Sequence, residues 1–482
     1  MIKRPILLAI FTIVLAFNTS AHSGKARFHI IIDTDGASDD LRTLCMLLGN
    51  KEAEVLAVTA SEGALTPDIS ARKATALLHG FFHEGIPVGC GRAAGAPAPM
   101  WRRYAMQTIW GECQATDSIS AARLISQTIK DEEEKIIFVA LGPLTNLYDA
   151  LQESSDLSNR IERVIWYDSS TYPPSGVNYL TDTIAANNIL KSGIPVFVIA
   201  ENTAKPVIIT SEWIDSIAAV STPYAAKIAT THRSEPLNRL IDAKHLKVWD
   251  ELAALYLYAP ELFDIRTVSP TVEICYPNNS VSVKELQNAM LAVLRGKTDS
   301  ESRVLFGFPT SKEVYASDVA PIIDTAISRH GMSEWRAAVL TNELHGHLGI
   351  YATIGVKMGI RAREYFNIGV DDINVTSLAG STPPISCMND GLQVATGGTL
   401  GHGLITVAST EHPRPEAEFS FKGKTIRLKL KSRYAERIAR DVRKGVEMYG
   451  GSTEQYWQYI RSLALQYWQE FDRHEIFDLY RD

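Results

Sequence analysis

The sequence predicts an α/β fold: an open, mostly parallel β-sheet flanked by helices, followed by a smaller α+β region. Through the first half of the chain, short apolar segments alternate with segments of helical periodicity. Such an alternation, with strands that are apolar on both faces, is typical of a parallel sheet covered by helices. A length of 482 residues, of which 45% are hydrophobic and 21% charged, allows a large core and more than one domain.

The predicted strands of the first half are, in chain order, FHIIID, EVLAVTA, IPVGCG, KIIFVALG, RVIWYD and IPVFVIA. Helical segments lie between them, at LRTLCMLLG, ARKATALLHGFF, TNLYDALQ and AANNILKSG. From Asp250 onward the pattern becomes more helical, and near Gly331 the character of the chain changes again. Glycine-rich stretches, a hairpin at FSFKGKTIRLKLK and two long helices follow. We therefore predict one domain at residues 26–330 and a second at residues 331–482.

The N-terminus has the layout of a secretory signal peptide. Lys3 and Arg4 precede an apolar run, Ile6–Phe17, and the small residues that follow end at Ala21. The run is short for a membrane-spanning helix, so we expect cleavage of residues 1–21 and a periplasmic or secreted protein. An uncleaved anchor is the alternative. Five cysteines are too few and too scattered for a disulfide framework.

The net charge of the chain is -7, which gives no general reason to expect nucleic acid or an anionic membrane as a partner. A small molecule is the expected ligand. Association of the chain into a homo-oligomer is left open by the sequence.

The stretch HIIIDTDGASDD, residues 29–40, places four aspartates directly after an apolar strand. Asp39 and Asp40 could simply begin the next helix and satisfy its free amides. That interpretation does not account for Asp33 and Asp35, and four neighbouring carboxylates repel one another unless a cation neutralises them. Because the ligands are hard oxygen atoms, the sequence predicts a site for Ca²⁺ or Mg²⁺ rather than for zinc.

Two classes of enzyme fit this motif. One is the Mg²⁺-dependent phosphatases and phosphotransferases that use an aspartyl nucleophile after a strand, here Asp33. The other is indicated by a resemblance that also includes VALGPLTNL, residues 139–147, and VWDELAALYL, residues 248–257. Together with IIDTDGASDD, these segments resemble, in order and spacing, the motifs of the inosine-uridine preferring nucleoside hydrolases. The resemblance covers about residues 27–330.

The resemblance implies hydrolysis of the N-glycosidic bond of nucleosides or nucleoside-like compounds, giving a free base and a sugar. It implies a Ca²⁺ ion bound by Asp35, Asp40, Asp250 and the backbone carbonyl of Leu141, with Asp33 supporting the cluster. Asp39 would bind a ribose hydroxyl. Asp35 would accept a proton from a water molecule that the cation has acidified and that attacks the anomeric carbon.

The sequence departs from the family pattern where the sugar and the base should bind. Ala64 stands where the family commonly has an Asn, and Gly176 stands where it has a Glu, although Asn178 is kept. Trp249 replaces a His that can protonate the leaving base. Since each lost hydrogen bond costs roughly 1 to 3 kcal/mol, ordinary ribonucleosides should bind less well.

Other residues could replace the lost contacts. Glu62 and Asp168 are polar and follow predicted strands, so both are candidate substrate-binding residues together with Asn178. Trp249 either stacks on a leaving base or is a core aromatic residue. A ligand-binding protein that keeps the cation and has lost turnover is the competing class of function.

The second half contains HGHLGIYATIGVKMG and CMNDGLQVATGGTLGHG. A pair of histidines is by itself often only structural, but His345 and His347 with Cys387 would suit Zn²⁺ or another transition metal. The two segments resemble the E-type component of formylmethanofuran dehydrogenase, over about residues 335–475. A Cys that usually follows the first segment in that family is absent, and Gly349 lies in its neighbourhood. Three ligands with an open position would be typical of a catalytic metal.

Overall fold

The computed structural model describes residues 26–112, 119–296, 304–305, 307–370, 372–451 and 453–481. The predicted signal peptide, residues 1–21, lies outside the described residues.

The chain divides into two compact units. The first unit comprises Ala26–Thr298 and Glu364–Asn367, and the second comprises Asp299–Arg363 and Ile368–Asp482. This division falls earlier in the chain than the predicted boundary after residue 330. The helix that ends at His330 packs within the second unit, where the Nε2 atom of His330 lies 3.0 Å from the backbone oxygen of Gln469.

The strands of the first unit are β1 (Phe28–Thr34), β2 (Ala53–Ala60), β3 (Val88–Cys90), β4 (Ile119–Ser120), β5 (Ile136–Ala140), β6 (Ile161–Tyr167), β7 (Val196–Ile199), β8 (Phe263–Ser269) and β9 (Val272–Pro277). Within the described residues they form a nine-stranded sheet in the order β4-β3-β2-β1-β5-β6-β7-β9-β8. All neighbours pair in parallel except β8 and β9, which are antiparallel. The mostly parallel sheet predicted from the sequence is therefore confirmed.

The helices of the first unit are α1 (Ser38–Gly49), α2 (Pro67–Gly80), α3 (Arg102–Gln107), α4 (Ala121–Asp131), α5 (Thr145–Glu153), α6 (Val177–Thr181), α7 (Thr183–Leu190), α8 (Ser211–Ala218), α9 (Pro223–His232), α10 (Leu237–Asp242), α11 (Glu251–Tyr258) and α12 (Val283–Arg295). They bury both faces of the sheet. Alternate residues of β1 show this directly, since Ile30 and Ile32 belong to one buried apolar cluster and Ile31 belongs to another.

The β8–β9 hairpin differs from the prediction, because the sequence after Asp250 indicates mostly helix. β8 forms the edge of the sheet, and its central residues Arg266 and Thr267 are exposed. An edge strand of this kind lacks the continuous apolar run by which the other strands are recognised.

The strand order reverses between β1 and β5. From β1 the chain proceeds outward through β2, β3 and β4, and then returns to pair β5 with the other edge of β1. In open α/β sheets, ligands bind in the crevice beyond the carboxyl ends of the strands at such a reversal. Asp33 lies in β1 and Leu141 directly follows β5, so the acidic stretch of the sequence lies at this crevice.

The second unit contains a sheet of β10 (Asn374–Ser377), β11 (Ile405–Val407), β12 (Glu416–Phe421), β13 (Lys424–Leu430) and β14 (Phe477–Arg481). Their order is β11-β10-β12-β13-β14, antiparallel except for β10 with β11. Its helices are α13 (Ile323–His330), α14 (Met332–His345), α15 (Ile350–Phe366), α16 (Met388–Thr396), α17 (Ser432–Tyr449) and α18 (Glu454–Glu470). The predicted α+β class and the predicted hairpin, formed by β12 and β13, are confirmed.

Short 3-10 helices lie at Ser155–Arg160, Pro260–Leu262, Lys312–Val314, Ala320–Ile322 and Ile385–Cys387. Across the described part of the chain, no helix combines the length and the apolar character that crossing a bilayer requires.

Candidate active site and candidate metal centres

The turn after β1 directs the acidic residues into the crevice. Gly36 has a φ of +83°, and a Cβ atom there would lie 2.2 Å from the Oγ atom of Ser70, so a side chain does not fit. The turn leads into α1, whose first turn carries Asp39 and Asp40. Asp40 does not cap this helix, because its carboxylate accepts hydrogen bonds from the hydroxyl of Thr34 and the amide of Asp35, both at 2.8 Å.

Asp33 lies beneath the crevice and is fully buried. Its carboxylate accepts hydrogen bonds from the hydroxyls of Thr59 and Ser61, both at 2.6 Å, and from the side-chain amide of Asn146 at 2.7 Å. With both oxygens occupied, Asp33 braces the ends of β1 and β2 and is not placed as a metal ligand. The same arrangement removes the basis for a phosphotransferase, because a buried, hydrogen-bonded carboxylate cannot attack a phosphoryl group.

Asp39, Asp40 and Asp250 form the group of acidic side chains best placed to hold a cation. Ligand atoms of the three residues all lie within 4.8 Å of one another, and within the described residues no other set of three His, Cys, Asp or Glu side chains is so close. Asp250 immediately precedes α11, which packs against α1. Helix packing thus joins two acidic segments that are far apart in the sequence.

The electrostatics of this group favour a bound cation. Burial, and then the neighbouring charge of Asp40, raises the pKa of Asp39 to about 7. Burial also raises the pKa of Asp40, and burial together with Asp40 and Asp39 raises the pKa of Asp250 well above its usual value. Without a cation these carboxylates ionise only at a cost in energy. A hard divalent ion would remove that cost.

The nearby buried arginine is already engaged. Arg42 forms an ion pair with Glu251, and its guanidinium lies 3.0 Å from the Nε2 atom of His232. The other ring nitrogen of His232 lies 2.7 Å from the backbone oxygen of Ile228, so it carries the proton and Nε2 accepts from Arg42. Arg42 therefore mainly balances the charge of Glu251, and its charge lowers the pKa of Asp39 by less than burial and Asp40 raise it.

Asp35 and Leu141 border the same crevice in a different way. The Oδ2 atom of Asp35 lies 2.1 Å from where a Cβ atom on Gly63 would be, so its carboxylate is directed toward Gly63. The backbone oxygen of Leu141 accepts a hydrogen bond of 2.7 Å from the side-chain amide of Asn178. Among the described residues the closest group of ligand atoms is that of Asp39, Asp40 and Asp250, and the role of Asp35 as a further ligand stays a prediction. Leu141 keeps one lone pair for a further contact.

The crevice is a cavity of about 560 Å³. The residues of interest from the sequence that line it are Asp35, Asp39, Asp40, Ala64, Leu141, Asp168, Gly176, Asn178, Trp249 and Asp250. Sequence reasoning missed a second group of wall residues, which are mostly apolar or aromatic: Trp101, Tyr104, Ala105, Val177, Leu237, Leu240, His245 and Leu246. No motif marks these residues, because they come from four separate places: α3 with the residue before it, α6, α10 and the segment before α11.

Glu62, predicted to bind substrate, does not border the cavity. Its carboxylate accepts hydrogen bonds from the backbone amides of Ala94 and Gly95, at 2.6 and 2.8 Å. Nearby, the Arg102 guanidinium donates to the backbone oxygens of Gly63 and Ala64, both at 2.9 Å. These bonds fasten residues 94–102 to the end of β2, and they place Trp101 in the cavity wall.

Asp168 lies at the end of β6, in the cavity wall. Its carboxylate accepts hydrogen bonds from the backbone amides of Gly176 and Tyr179, at 3.0 and 3.1 Å. Burial raises the pKa of Asp168. A Cβ atom on Gly176 would lie 2.3 Å from Asp168 Oδ1, so the carboxylate occupies the space that a side chain at position 176 would need.

Trp249 is half-buried and fits both interpretations of its role. It packs against the apolar cluster that covers one face of the sheet, and it also lines the cavity. Its backbone amide donates a hydrogen bond of 3.0 Å to Glu251, which fixes the turn that presents Asp250.

In the second unit the structure brings together part of the predicted ligand set. The Nδ1 atom of His345 lies 2.7 Å from a carboxylate oxygen of Asp390, and the rings of His345 and His347 are 4.3 Å apart between centroids. Because the carboxylate only accepts, Nδ1 carries the proton and Nε2 keeps a free lone pair. That Nε2 atom is buried and has no hydrogen-bond partner among the described residues.

Cys387 does not complete a three-ligand group with the two histidines among the described residues. It lies at the start of α16, one turn before Asp390, and burial followed by the charge of Asp390 raises the pKa of its thiol. Cys45, Cys90, Cys275 and Cys387 form no disulfide bond with one another. Cys113 lies outside the described residues.

A carboxylate-lined cavity at the strand reversal of a parallel sheet defines an α/β enzyme for a small molecule. Residues 30–312 match the family model of the inosine-uridine preferring nucleoside hydrolases, and residues 344–478 match FmdE, of the molybdenum formylmethanofuran dehydrogenase operon. The first match spans more than half of the chain. The protein belongs to the inosine-uridine preferring nucleoside hydrolase family and is a hydrolase of N-glycosyl compounds.

Curated relatives agree with this assignment. The chain is 28% identical over 306 residues to the pyrimidine-specific ribonucleoside hydrolase RihA of Shewanella baltica, covering 58% of this chain and 91% of the relative. The same enzyme of Salmonella schwarzengrund is 28% identical over 217 residues, covering 42% and 68%.

Solved structures similar to this chain include a purine-preferring ribonucleoside hydrolase from Gardnerella vaginalis, with 17% identity and a TM-score of 0.45 over 55% of this chain and 99% of that one. Another is an inosine-uridine preferring nucleoside hydrolase from Bacillus anthracis, with 18% identity and a TM-score of 0.44 over 56% and 99%.

Proposed function

We propose that this protein is an exported, Ca²⁺-dependent ribonucleoside hydrolase whose second unit binds a transition metal. The observation that carries the proposal is the convergence of Asp39, Asp40 and Asp250 on one wall of the cavity. Relatives named as pyrimidine-specific ribonucleoside hydrolases support N-ribosides as the substrate class. The layout around Lys3, Arg4 and Ala21 supports export.

Different residues of the cavity are suited to binding the cation and to accepting the proton of the attacking water. Asp39, Asp40, Asp250 and the carbonyl of Leu141 would hold Ca²⁺, which supplies an acidified water molecule and a fixed position for sugar hydroxyls. Asp35 lines the cavity outside the three-aspartate group, and burial followed by the charge of Asp40 raises its pKa well above the usual value. It is therefore suited to accept the proton of the attacking water.

The side chains that remain can position the sugar. Asn178 donates both of its amide hydrogens to backbone oxygens, of Leu141 at 2.7 Å and of Tyr167 at 3.0 Å, and its own oxygen is left for a hydroxyl group. Asp168 offers a carboxylate in the same wall. Ala64 contributes no polar group, so the sugar has fewer partners than the family resemblance implies.

The test is release of base and ribose from uridine, cytidine, inosine and adenosine, with Ca²⁺ and after removal of divalent ions with a chelator. We expect hydrolysis of at least one nucleoside by the wild type, loss on chelation, and recovery with Ca²⁺. Asp250→Asn should lack activity, whereas Asp131→Asn, a change on the exposed end of α4, should not. Binding of these nucleosides without release of base would contradict the proposal and favour a ligand-binding protein.

The proposal for the second unit rests on His345. Its Nε2 atom is buried without a partner among the described residues, its side chain is only 11% exposed, and Asp390 orients the ring, an arrangement typical of a metal-binding histidine. The metal content of the purified protein, measured beside His345→Gln, tests this role. An equal content of Zn²⁺ and other transition metals in both proteins would contradict it.

A further inference from the structure

A pair of oppositely charged side chains lies buried beside the three aspartates, outside the cavity. Arg42 of α1 and Glu251, the first residue of α11, form an ion pair in which each side chain is only 2% exposed. Neither residue lines the cavity. Such a pair adds little net stability compared with apolar side chains of similar size, because both charges lose their water. What it does provide is a fixed geometry between the two helices that carry it.

Arg42 holds three separate parts of the chain. Its Nε atom donates to the carboxylate of Glu251, a second guanidinium nitrogen lies 3.0 Å from the Nε2 atom of His232, and the third donates to the backbone oxygen of Lys247 at 3.1 Å. These partners belong to α11, to the last residue of α9 and to the segment before α11. Because the nitrogens of a guanidinium lie in one rigid plane, the contacts fix α1 against its neighbours.

Glu251 connects this arrangement to Asp250. One of its carboxylate oxygens accepts a hydrogen bond from Arg42, and the other accepts one of 3.0 Å from the backbone amide of Trp249. The carboxylate therefore holds the chain on both sides of Asp250, which lies between Trp249 and Glu251 in sequence. Arg42, at the other end of the ion pair, lies within about one helical turn of the two acids in the first turn of α1. The ion pair thus links the two acidic segments of the candidate cation site.

The pair contributes position to the cation site and not net charge. The charges of Arg42 and Glu251 cancel, and burial, followed by the charge of Arg42, lowers the pKa of His232 to about 3, so that ring is neutral. Acidic ligands bind a hard cation tightly only at suitable separations, and partners that orient the ligands typically change metal affinity by about 10- to 100-fold.

We infer that Arg42 and Glu251 are positioning residues of the candidate cation site. Their ion pair sets the separation between Asp250 and the acids of α1, and thereby the affinity of the site for Ca²⁺. This inference rests on the proposed function, because the cation is part of it. Since neither side chain lines the cavity, the pair acts on hydrolysis through the cation and not through the substrate.

Three variants separate position from charge: Arg42→Gln, Glu251→Gln and the double variant that combines them. Electrostatics alone predicts opposite effects of the single changes, because loss of the arginine makes the surroundings more negative and loss of the glutamate makes them less negative. If the pair sets position, both single variants bind Ca²⁺ more weakly. The double variant keeps the net charge of the wild type and leaves neither partner as an unpaired buried charge, so it should fold.

Isothermal titration measures the Ca²⁺ dissociation constant of each variant. We expect an increase of about 10-fold or more in all three, with a loss in the double variant smaller than the product of the two single losses, since both single changes break the same contact. The nucleoside that the wild type cleaves fastest should need correspondingly more Ca²⁺ for half-maximal hydrolysis. At saturating Ca²⁺, kcat should return close to that of the wild type.

A matched control lies in the second unit. Lys357 and Glu334 form another fully buried ion pair, and Arg473 also contacts Glu334 at 3.0 Å, so the glutamate keeps a partner in Lys357→Met. This variant should have a lower melting temperature, while its Ca²⁺ dissociation constant and the Ca²⁺ needed for half-maximal hydrolysis stay unchanged. It shows whether loss of any buried ion pair is enough to weaken the cation site.

Tighter binding of Ca²⁺ by Arg42→Gln than by the wild type, or a wild-type dissociation constant in the double variant, would overturn the inference. So would a loss of kcat that saturating Ca²⁺ does not restore, or an equal loss of affinity in Lys357→Met. A wild type that binds no Ca²⁺ would instead contradict the proposed function itself.

Discussion

The two groups of side chains proposed to bind metal ions are assembled in different ways. In the first unit, the reversal of strand order and the packing of α11 on α1 bring Asp250 to Asp39 and Asp40 from a distant part of the sequence. In the second unit, His345 and His347 are near neighbours in sequence and in space, yet Cys387 does not join them in a described ligand group. In this chain the close group of carboxylates comes from segments far apart in the sequence, whereas the histidine pair close in sequence is not part of such a group among the described residues.

The largest effect is expected when one carboxylate of the group Asp39, Asp40 and Asp250 is removed. Asp250→Ala removes one of three clustered carboxylates, so we expect Ca²⁺ affinity and nucleoside hydrolysis to fall by more than about 100-fold, since changes outside the ligand shell already cost 10- to 100-fold. Isothermal titration with Ca²⁺ and base-release assays measure both. His345→Gln should leave hydrolysis by the first unit unchanged. If this variant also lost hydrolysis, the two groups of side chains would not act independently.

The next prediction separates Asp35 from Asp39. The structure groups Asp39 with Asp40 and Asp250, so Asp39→Asn should lower Ca²⁺ affinity by about 10- to 100-fold. Asp35→Asn should keep most of the affinity and lower kcat, because Asp35 is assigned to the proton of the attacking water. The opposite result, with Asp35→Asn losing the ion, would show that the ligand set implied by the family resemblance is right.

A smaller effect is expected in the second unit, where His345 should matter more than Cys387. His345→Gln should weaken Zn²⁺ binding by about 10-fold or more, whereas Cys387→Ser should change it little, because the thiol does not complete a ligand group among the described residues. Competition with a zinc-responsive chelator measures both affinities. Comparable losses of Zn²⁺ affinity in the two variants would support the three-ligand site predicted from the sequence.

The smallest effect is a dependence of stability on pH. Burial raises the pKa of Asp33 and of Asp39 to about 7, whereas aspartates in the unfolded chain titrate near 4. Without Ca²⁺, the native state then binds more protons than the unfolded state between about pH 4 and pH 7, so stability falls as the pH rises through that range. Ca²⁺ binds the ionised carboxylates and should offset the loss.

Differential scanning fluorimetry should therefore show a larger Ca²⁺-induced rise in melting temperature at about pH 8 than at about pH 5. Asp250→Ala serves as the control, because its melting temperature should respond little to Ca²⁺ at either pH. A rise of equal size at both pH values in the wild type would mean that these carboxylates do not exchange protons for the ion.

The sequence was sufficient for six strands of the parallel sheet, β1, β2, β3, β5, β6 and β7, since each is a largely apolar run between polar turns. It was also sufficient for the crevice, because Asp33, Asp35 and Leu141 lie at the ends of strands, and these ends share one edge of a sheet. β8 was missed because an exposed edge strand lacks an apolar run. Two strands that pair in parallel were missed as well: β4, which is only two residues long, and β9, which pairs with β7 in a region whose sequence indicates mostly helix.

The side-chain directions could not be predicted in the same way. Glu62 follows β2 as Asp35 follows β1, but its carboxylate turns toward the backbone amides of Ala94 and Gly95. Those donors belong to a loop whose path depends on tertiary contacts. His245 was missed for a related reason, since its place in the cavity depends on how α10 packs and not on any pattern of neighbouring residues.

The contact between Asp168 and Gly176 constrains which pairs of side chains this wall of the cavity can hold. The family resemblance places a glutamate at position 176, but in this chain that side chain would collide with the Asp168 carboxylate, 2.3 Å from the first added carbon. A side chain at position 176 would therefore require the Asp168 carboxylate to move away from the backbone amides of Gly176 and Tyr179, to which it is hydrogen-bonded. The effects of substitutions at the two positions should be non-additive, and a glutamate at position 176 should be better tolerated when position 168 carries a small side chain.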